Sequence, residues 1–134
     1  MQHGMLPGGG VALYQASKLL EEGLPALIDD PCEYHAVKIL ASALKEPIRQ
    51  LIKNKTALES EPIIEKIERE GGLFTGYDVK RECICDMVES GIVDSCLVVQ
   101  TYLQDAVTLS GMLLTTEAII YKEKAYTPLS LKHY

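Results

Sequence analysis

Residues 96–121 read CLVVQTYLQDAVTLSGMLLTTEAIIY and form the most strongly helical stretch of the chain. Apolar and small side chains recur in it with a period near 3.6 residues, the spacing of one face of an α-helix. The residues that follow this period are Val99, Leu103, Ala106, Val107, Ser110, Leu113, Leu114 and Ile120. Because the stretch is apolar on nearly all sides, we expect one long helix that lies centrally in the core.

Shorter helices are predicted upstream of this stretch by their start and stop residues. The apolar period over residues 11–22 indicates a first helix that ends at a glycine. A second helix begins after Asp30, a good N-cap followed by proline, and Pro47 breaks or kinks it before another short helix. A further helix follows Ser60 and stops at the glycine pair 71–72.

Four connecting segments carry weaker signals. Residues 4–10 end in three consecutive glycines and predict a loop. Residues 74–79 are β-prone and contain a glycine, which predicts a turn or a small hairpin arm. Residues 82–89 favour one short helix, and residues 92–95 favour a brief extended link. The predicted fold class is therefore mostly all-α, a helical bundle with a small β or turn feature near residues 73–79.

Charge and hydropathy exclude several classes of protein. The 134 residues include 13 Lys+Arg and 19 Asp+Glu, a formal net charge of -6, so the chain offers no basic face to nucleic acid. No apolar stretch reaches the roughly 20 residues that cross a bilayer, and we expect no membrane contact. The amino terminus lacks the cationic and apolar regions of a secretory signal, which favours a reducing, cytosolic environment.

The four cysteines are predicted to be plain thiols. Cys83 and Cys85 form a C-x-C pair, which differs from the C-x2-C spacing of zinc sites and redox pairs. The three histidines, His3, His35 and His133, make no ligand pair at helical spacing. A metal site and a pair of disulfides are the alternatives, and for a reduced cytosolic chain we expect neither.

Three short segments place glycine or aspartate where a helix or turn begins. The glycines 8–10 precede a helix whose N–H groups could attract an anion, and a plain flexible loop is the alternative. Asp78 and Asp94 each follow apolar residues, where a carboxylate suits a ribose hydroxyl beside a base. The simpler interpretations are turn formation by Asp78 and helix N-capping by Asp94. No set of nucleophile, histidine and carboxylate is legible, so no catalytic residue is predicted.

Taken in order, these segments resemble the last part of the group I chaperonins, the GroEL/Hsp60 family. The likeness covers roughly residues 2–121 with the spacings preserved. The motifs that carry it are QxGMLxGGGVAL at 2–13, PIRQLIxN at 47–54, GYD at 76–78, DMVESGIVD at 86–94, and LQxA with LLTTEA at 103–118.

The resemblance implies that this segment is the carboxyl-terminal half of an α-helical equatorial domain, which binds ATP and makes ring contacts. By the resemblance, Gly8, Gly9 and Gly10 would line the nucleotide pocket, and Tyr77, Asp78 and Val79 would flank the adenine. Ile92 would pack on the base, and Asp94 would bind the ribose hydroxyls. The implied cofactor of the parent protein is ATP or ADP with Mg2+, which this segment alone would bind weakly or not at all.

The resemblance also implies functions that other parts of the family supply. No motif here matches the family's phosphate loop, its metal-binding and catalytic aspartates, or its apical domain, so we expect no ATP hydrolysis by this chain alone. Other ring subunits are the implied partners, while unfolded clients and the co-chaperonin would bind only those other parts. We expect residues 1–124 to belong to the equatorial domain and residues 125–134 to form an irregular tail. The chain would then be an excised segment or a truncated gene product. The expected compartment is the bacterial cytoplasm or, alternatively, the mitochondrial matrix.

A few positions depart from the family pattern. Val79 and Lys80 stand where small residues are common, and Ser95 and Cys96 replace a proline-containing turn. Two other function classes compete with a chaperonin fragment. One is a stand-alone interaction or oligomerisation module derived from a truncated chaperonin, whose orphaned apolar surface would favour a dimer. The other is an unrelated small helical enzyme, against which the lack of a catalytic set counts.

Overall fold

The computed structural model describes residues 4–23, 28–55 and 59–121. The chain divides into two compact units, Met1–Gln100 and Thr101–Tyr134. The described residues form five helices and four short strands, which confirms the predicted, mostly helical fold class. In chain order they are β1 (Met5–Pro7), α1 (Val11–Gly23), α2 (Pro31–Leu44), α3 (Glu46–Lys55), α4 (Glu61–Glu70), β2 (Thr75–Asp78), β3 (Cys83–Asp86), β4 (Val93–Ser95) and α5 (Cys96–Leu114). The predicted tail at 125–134 lies outside the described residues.

Helix α1 ends, and α2, α3 and α4 begin, at or next to the residues predicted to stop or start them. Asp30 caps α2, since its side chain accepts a hydrogen bond from the backbone N–H of Cys32 at 2.8 Å. The predicted break falls at Lys45, and Pro47 stands in the first turn of α3, where a missing N–H costs nothing. Gly71 ends α4 with a φ of +71°, and its N–H donates to a carbonyl of the preceding turn. These predictions are confirmed.

The core of the first unit is one cluster in which α1, α3 and α4 meet the segment after β3. Its members are Val11, Tyr14, Ile48, Ile52, Ile64, Ile67 and Met87. Each helix contributes two residues spaced three or four apart, which is the spacing of one helical face. One face of each of these three helices therefore points into this core.

Two antiparallel strand pairs complete the first unit. Strand β1 pairs with β4, with Met5 opposite Ser95, and so joins segments from the two ends of this unit. Strands β2 and β3 form a hairpin in which Thr75 lies opposite Asp86. The predicted hairpin arm is therefore confirmed, and the predicted extended link is β4. The segment at residues 4–10, predicted to be a loop, contains strand β1. The local sequence did not predict this strand, because its partner β4 lies in a distant part of the chain.

The prediction of a helix over residues 82–89 is wrong. Strand β3 occupies its first half, because Cys-Ile-Cys pairs with β2 in a sheet, and this pairing overrides local helix propensity. A turn follows in which the Asp86 carboxylate accepts the N–H groups of Val88 at 2.8 Å and Glu89 at 3.0 Å. Such local bonds are the reason why aspartate favours turns over helix interiors.

Helix α5 ends at Leu114 and is shorter than the predicted 96–121. Two threonines follow it, and their hydroxyl groups bond to carbonyls of the last turn. Thr115 Oγ1 donates to the Gly111 carbonyl at 3.0 Å, and Thr116 Oγ1 donates to the Met112 carbonyl at 2.6 Å. Threonine is also a weaker helix former than leucine, because its branched side chain loses rotamer freedom in a helix.

The expectation that α5 lies centrally in the core is wrong for this chain. Within this helix only Val99 is buried, whereas Val107, Met112 and Leu113 are each more than half exposed. A helix that is apolar on nearly all sides needs partners on all sides, and the residues described here leave most of this one exposed. None of the described helices is long and apolar enough to span a membrane.

A buried tyrosine links α1 to α4. The Tyr14 hydroxyl donates a hydrogen bond to the Glu68 carboxylate, and Lys18 Nζ lies 3.3 Å from the same carboxylate oxygen. Burial, together with the bond to Glu68, raises the pKa of Tyr14 above its usual range. The hydrogen bond from Tyr14 lowers the pKa of Glu68, and the Lys18 ammonium adds to this effect.

We expect Tyr14→Phe to lower the free energy of unfolding at neutral pH by about 1 kcal/mol. A hydrogen bond to a charged group contributes about 1.5–3 kcal/mol, and solvent screens this one because the Glu68 side chain is 45% exposed. The pKa of Glu68 is lower in the folded state, so its stabilisation is present above the unfolded value of about 4.3 and is lost as pH falls through the folded value. The difference between the proteins should therefore shrink in acid.

Urea denaturation of both proteins between pH 3 and 8 measures this difference. Tyr34→Phe on α2 is the matched control, since Tyr34 is only half-buried and packs edge-on against His35. It should change stability little at any pH. A Tyr14→Phe effect that stayed constant down to pH 3 would show that the Glu68 carboxylate does not mediate it.

Candidate functional site

A cleft of about 450 Å³ opens in the first unit beside the hairpin β2–β3. Its lining comes from the glycine turn at residues 8–10, α3, the end of β2 with the hairpin turn that follows it, and the segment after β3. The lining residues are Gly9, Leu51, Tyr77, Asp78, Val79, Lys80, Arg81, Met87, Ser90, Gly91 and Ile92. Five of the eight residues predicted to bind a nucleotide are among them, namely Gly9, Tyr77, Asp78, Val79 and Ile92. The other three, Gly8, Gly10 and Asp94, are not part of this lining.

The pairing of β1 with β4 brings the glycine turn at residues 8–10 next to the segment that precedes β4. Immediately after β1, the Gly8 N–H donates to the Ile92 carbonyl at 2.9 Å. A Cβ atom at Gly8 would lie 3.1 Å from that oxygen and 3.2 Å from the Ile92 side chain. Gly8 therefore supports the cleft through its contact with Ile92.

The next two glycines have backbone conformations that favour glycine. Gly9 has a φ of +66° and Gly10 a φ of +79°. A Cβ atom at Gly9 would meet Met87 Cε at 2.6 Å, and one at Gly10 would meet the backbone nitrogen of Ile48 at 2.9 Å. The turn is therefore closely packed: Gly9 lies against Met87 at the edge of the cleft, and Gly10 lies against the first turn of α3.

Asp78 holds the turn of the hairpin in place. Its Oδ1 accepts the backbone N–H groups of Lys80 at 2.8 Å and Arg81 at 3.2 Å, and its Oδ2 lies 3.7 Å from Arg81 Nε. The hydrogen bond from the Arg81 N–H lowers the pKa of Asp78, aided by the one from Lys80. The carboxylate is therefore ionised at neutral pH. Turn formation, the simpler interpretation of this residue, is confirmed.

Asp94 lies in strand β4, opposite Leu6 of β1. Its side chain is exposed, and it stands two residues before α5 begins. The carboxylate is therefore available to solvent near the segment that lines the cleft through Ile92. Its predicted role toward a ribose stays a prediction.

Six lining residues were not predicted from the sequence. Met87 and Gly91 stand within the DMVESGIVD motif, which was therefore a usable signal for both. Leu51 stands within the PIRQLIxN motif, to which no binding role was assigned, and it is 39% exposed at the cleft. Lys80 was noted only as a departure from the family pattern and Arg81 gave no signal, because the position of both depends on the turn between β2 and β3. Ser90 also stands within the DMVESGIVD motif, in the turn that follows β3.

The cysteines belong to no cluster of the usual metal ligands in the part of the chain that the structure describes. Those residues contain no group of three or more His, Cys, Asp or Glu side chains that could hold a metal ion. All four cysteines carry free thiols: Cys32 and Cys83 are exposed, and Cys85 and Cys96 are half-buried.

The solved structures that share this fold include two chaperonins. The open-state monomer of a group II chaperonin from Methanococcoides burtonii matches with a TM-score of 0.74 and 23% identity, over 84% of this chain and 28% of that one. A group III chaperonin in the open state matches with a TM-score of 0.72 and 26% identity, over 87% of this chain and 24% of that one. The fold is therefore that of part of a chaperonin subunit.

The chain belongs to the TCP-1/cpn60 chaperonin family, whose family model matches residues 1–124. It is 37% identical over 131 residues to the mitochondrial chaperonin CPN60-2 of Zea mays. That match covers 96% of this chain and 22% of the maize protein, so the chain spans about a fifth of this relative's length. The resemblance drawn from the sequence motifs is confirmed.

Proposed function

We propose that the chain is part of the equatorial domain of a chaperonin subunit and that its cleft forms part of a nucleotide pocket. One observation carries this proposal: a single cleft joins residues from three segments to which the family resemblance assigns a nucleotide. These segments are represented by Gly9, Tyr77 and Ile92. They are far apart in sequence, so a common ligand is a simple reason for their convergence.

The chemistry of the lining suits a nucleotide. Tyr77, Val79 and Ile92 offer apolar surface on which a planar base can pack, as bases do on aromatic and apolar side chains. Gly9 brings the main chain to the edge of the cleft without a side chain in the way. The exposed Asp94 carboxylate can accept hydrogen bonds from ribose hydroxyls. In the parent protein, bound ATP with Mg2+ would supply a hydrolysable phosphoanhydride.

The activity of the whole chaperonin is part of the same proposal, because the chain spans only 22% of its maize relative. ATP-driven folding of unfolded clients, assembly into a ring and binding of a co-chaperonin would belong to the complete subunit. We expect no ATP hydrolysis by these 134 residues alone, since no predicted site residue is a catalytic group. The mitochondrial relative supports the matrix as the compartment, and the bacterial cytoplasm is the alternative.

The exposed apolar side chains of α5 favour a second candidate function, a stand-alone oligomerisation module. Val107, Met112 and Leu113 are exposed on one helix, and exposed apolar patches mark surfaces that other proteins cover. In a complete subunit other segments would cover them, whereas the chain alone would use a second copy. The oligomeric state of the purified chain distinguishes the two cases.

We expect Asp94→Ala to weaken binding of ADP with Mg2+ by about tenfold, because a charge-assisted hydrogen bond is lost at an exposed site. The same substitution should leave the affinity for 2′,3′-dideoxy-ADP unchanged, since that nucleotide lacks the hydroxyls. Titration of the complete subunit, isotopically labelled in these residues, by NMR gives both dissociation constants and shows which backbone amides respond.

Asp105→Ala on α5 is the matched control, because Asp105 is an exposed aspartate outside the cleft. An equal loss of affinity for both nucleotides would contradict the ribose role of Asp94. Absence of any ADP-dependent shift at Tyr77, Val79 and Ile92 would contradict the nucleotide cleft itself.

A further inference from the structure

We propose that Cys83, Cys85 and Met87 form a sulfur site that binds a soft monovalent cation, Cu(I). The three residues alternate along the segment CICDM at 83–87, and a period of two is the spacing of one face of a strand. The two cysteines lie in β3, and the methionine follows directly after it. The inference is independent of the proposed nucleotide role of the cleft, because that role assigns nothing to the thiols.

Strand pairing keeps the three sulfur residues on one face of the hairpin. Cys85 lies opposite Gly76 in the pairing of β2 with β3. The Met87 N–H donates to the Phe74 carbonyl at 3.0 Å, which continues this pairing by one residue beyond β3. Successive side chains of a paired strand point to opposite faces, so residues 83, 85 and 87 share a face.

A glycine leaves the space that brings the methionine sulfur beside Cys85. A Cβ atom at Gly76 would lie 2.7 Å from Met87 Cγ and 2.9 Å from Met87 Sδ, so the thioether occupies the place of the missing side chain. Residues directly opposite in an antiparallel pair have Cβ atoms about 4.5–5.5 Å apart. Cys85 is half-buried and packs against the core cluster to which Met87 belongs. A thiol and a thioether therefore lie side by side.

The spacing of the two thiols suits a bridging ion better than a disulfide. A strand rises about 3.3–3.4 Å per residue, so the Cα atoms of Cys83 and Cys85 lie roughly 6.7 Å apart. Disulfides prefer about 5.5–6 Å, and a closer approach would bend a strand that is paired with β2. Two metal–sulfur bonds of about 2.3 Å each separate their sulfurs by up to about 4.6 Å. Side chains that lean along the strand can reach this separation.

The set of ligands favours Cu(I) over Zn2+. Thiolate and thioether groups select Cu(I), whereas structural zinc sites take four ligands. The described part of the chain contains no group of three His, Cys, Asp or Glu side chains that could hold a metal ion. The carboxylate opposite Cys83 belongs to Asp78, and it already accepts the N–H groups of Lys80 and Arg81. Two thiols and one thioether therefore make a site with too few ligands for zinc.

Burial increases along the sulfur face and leaves one end open to solvent. Cys83 is exposed, Cys85 is half-buried, and Met87 is 1% exposed. An incoming ion would therefore meet Cys83 first. Binding releases the thiol protons to solvent and leaves the copper as Cu(I), so no electron is transferred. The net charge of -6 favours the approach of a cation.

The test measures Cu(I) binding by the complete subunit in the absence of oxygen, with a chelator that sets the free Cu(I) concentration. The subunit is isotopically labelled in these residues, and the amide signal of Gly76 in NMR spectra reports occupancy. We expect Cys83→Ser and Cys85→Ser each to weaken binding by more than about hundredfold, since each removes a thiolate. Met87→Leu should weaken it by about tenfold, because a neutral thioether is a weaker ligand.

The Met87 methyl group gives a second, local measurement in the unaltered subunit. Its NMR signal should shift when Cu(I) is added, because the methyl carbon is bonded to the coordinating sulfur, and should stay in place with Zn2+. Cys32→Ser on α2 and Met112→Leu on α5 are the matched controls, since each removes an exposed sulfur outside the hairpin. Neither control should change the affinity measured at Gly76.

Three results would overturn the inference. Absence of any Cu(I)-dependent shift at Gly76 would show that the three sulfurs only pack the hairpin. Binding at full affinity in both Cys83→Ser and Cys85→Ser would place the ion elsewhere. A Met87 methyl signal that stays in place while Gly76 responds would remove the thioether from the site. This last measurement needs no substitution, so it decides the role of Met87 even if Met87→Leu fails to fold.

Discussion

Replacing Ile52 with alanine should lower the free energy of unfolding of the first unit by about 3 kcal/mol. Ile52 is 0% exposed and belongs to the cluster in which α1, α3 and α4 meet. The substitution removes three buried carbon atoms and leaves a cavity that close-packed neighbours fill only in part. Urea denaturation followed by circular dichroism measures the change.

Ile39→Ala on α2 is the matched control, because the same atoms are removed from a side chain that is 70% exposed. Surface substitutions usually change stability by less than about 0.5 kcal/mol, so the two variants should differ about sixfold in effect. A loss at Ile52 no larger than that at Ile39 would mean that α3 does not pack into the cluster as described.

Replacing Gly10 with alanine should cost about 3 kcal/mol for two separate reasons. Its φ of +79° strains any L side chain, and the added Cβ would lie 2.9 Å from the backbone nitrogen of Ile48. A backbone atom in the first turn of a helix cannot move aside as a flexible side chain can. The variant should therefore lose stability, which thermal unfolding measures.

Gly4→Ala separates strain from collision. Gly4 has a similar φ of +71°, but a Cβ atom there would meet nothing within 4 Å. This control should cost about 1–2 kcal/mol, the strain of the left-handed conformation alone. If Gly10→Ala were no worse than Gly4→Ala, the glycine turn would not pack tightly on α3.

Part of the candidate site followed from the sequence, and part did not. Gly9, Tyr77 and Ile92 were predicted through family motifs and line one cleft. Residues around the hairpin turn show the limit of that approach. Lys80 was noted as a departure from the family pattern, but nothing in the sequence placed its side chain at the rim of the same cleft. That position depends on the pairing of β2 with β3.

The burial of α5 was predicted incorrectly for an instructive reason. The apolar period of residues 96–121 predicted a helix and indicated that several of its faces need cover. It did not indicate which residues cover those faces, because the apolar period belongs to one helix, whereas burial depends on the elements that pack against it. Val99 is buried within this chain and Met112 is not, although both belong to equally apolar stretches.

The sequence by itself determined the local elements of this protein. The N-cap at Asp30, the break near Pro47 and the stop at Gly71 act within about one helical turn, so neighbouring residues suffice to predict them. Tertiary structure alone decided the strand at Cys83–Asp86 and the pairing of Met5 with Ser95. Strand pairing is stabilised by residues distant in sequence, and only the folded chain brings those residues, and with them the cleft, together.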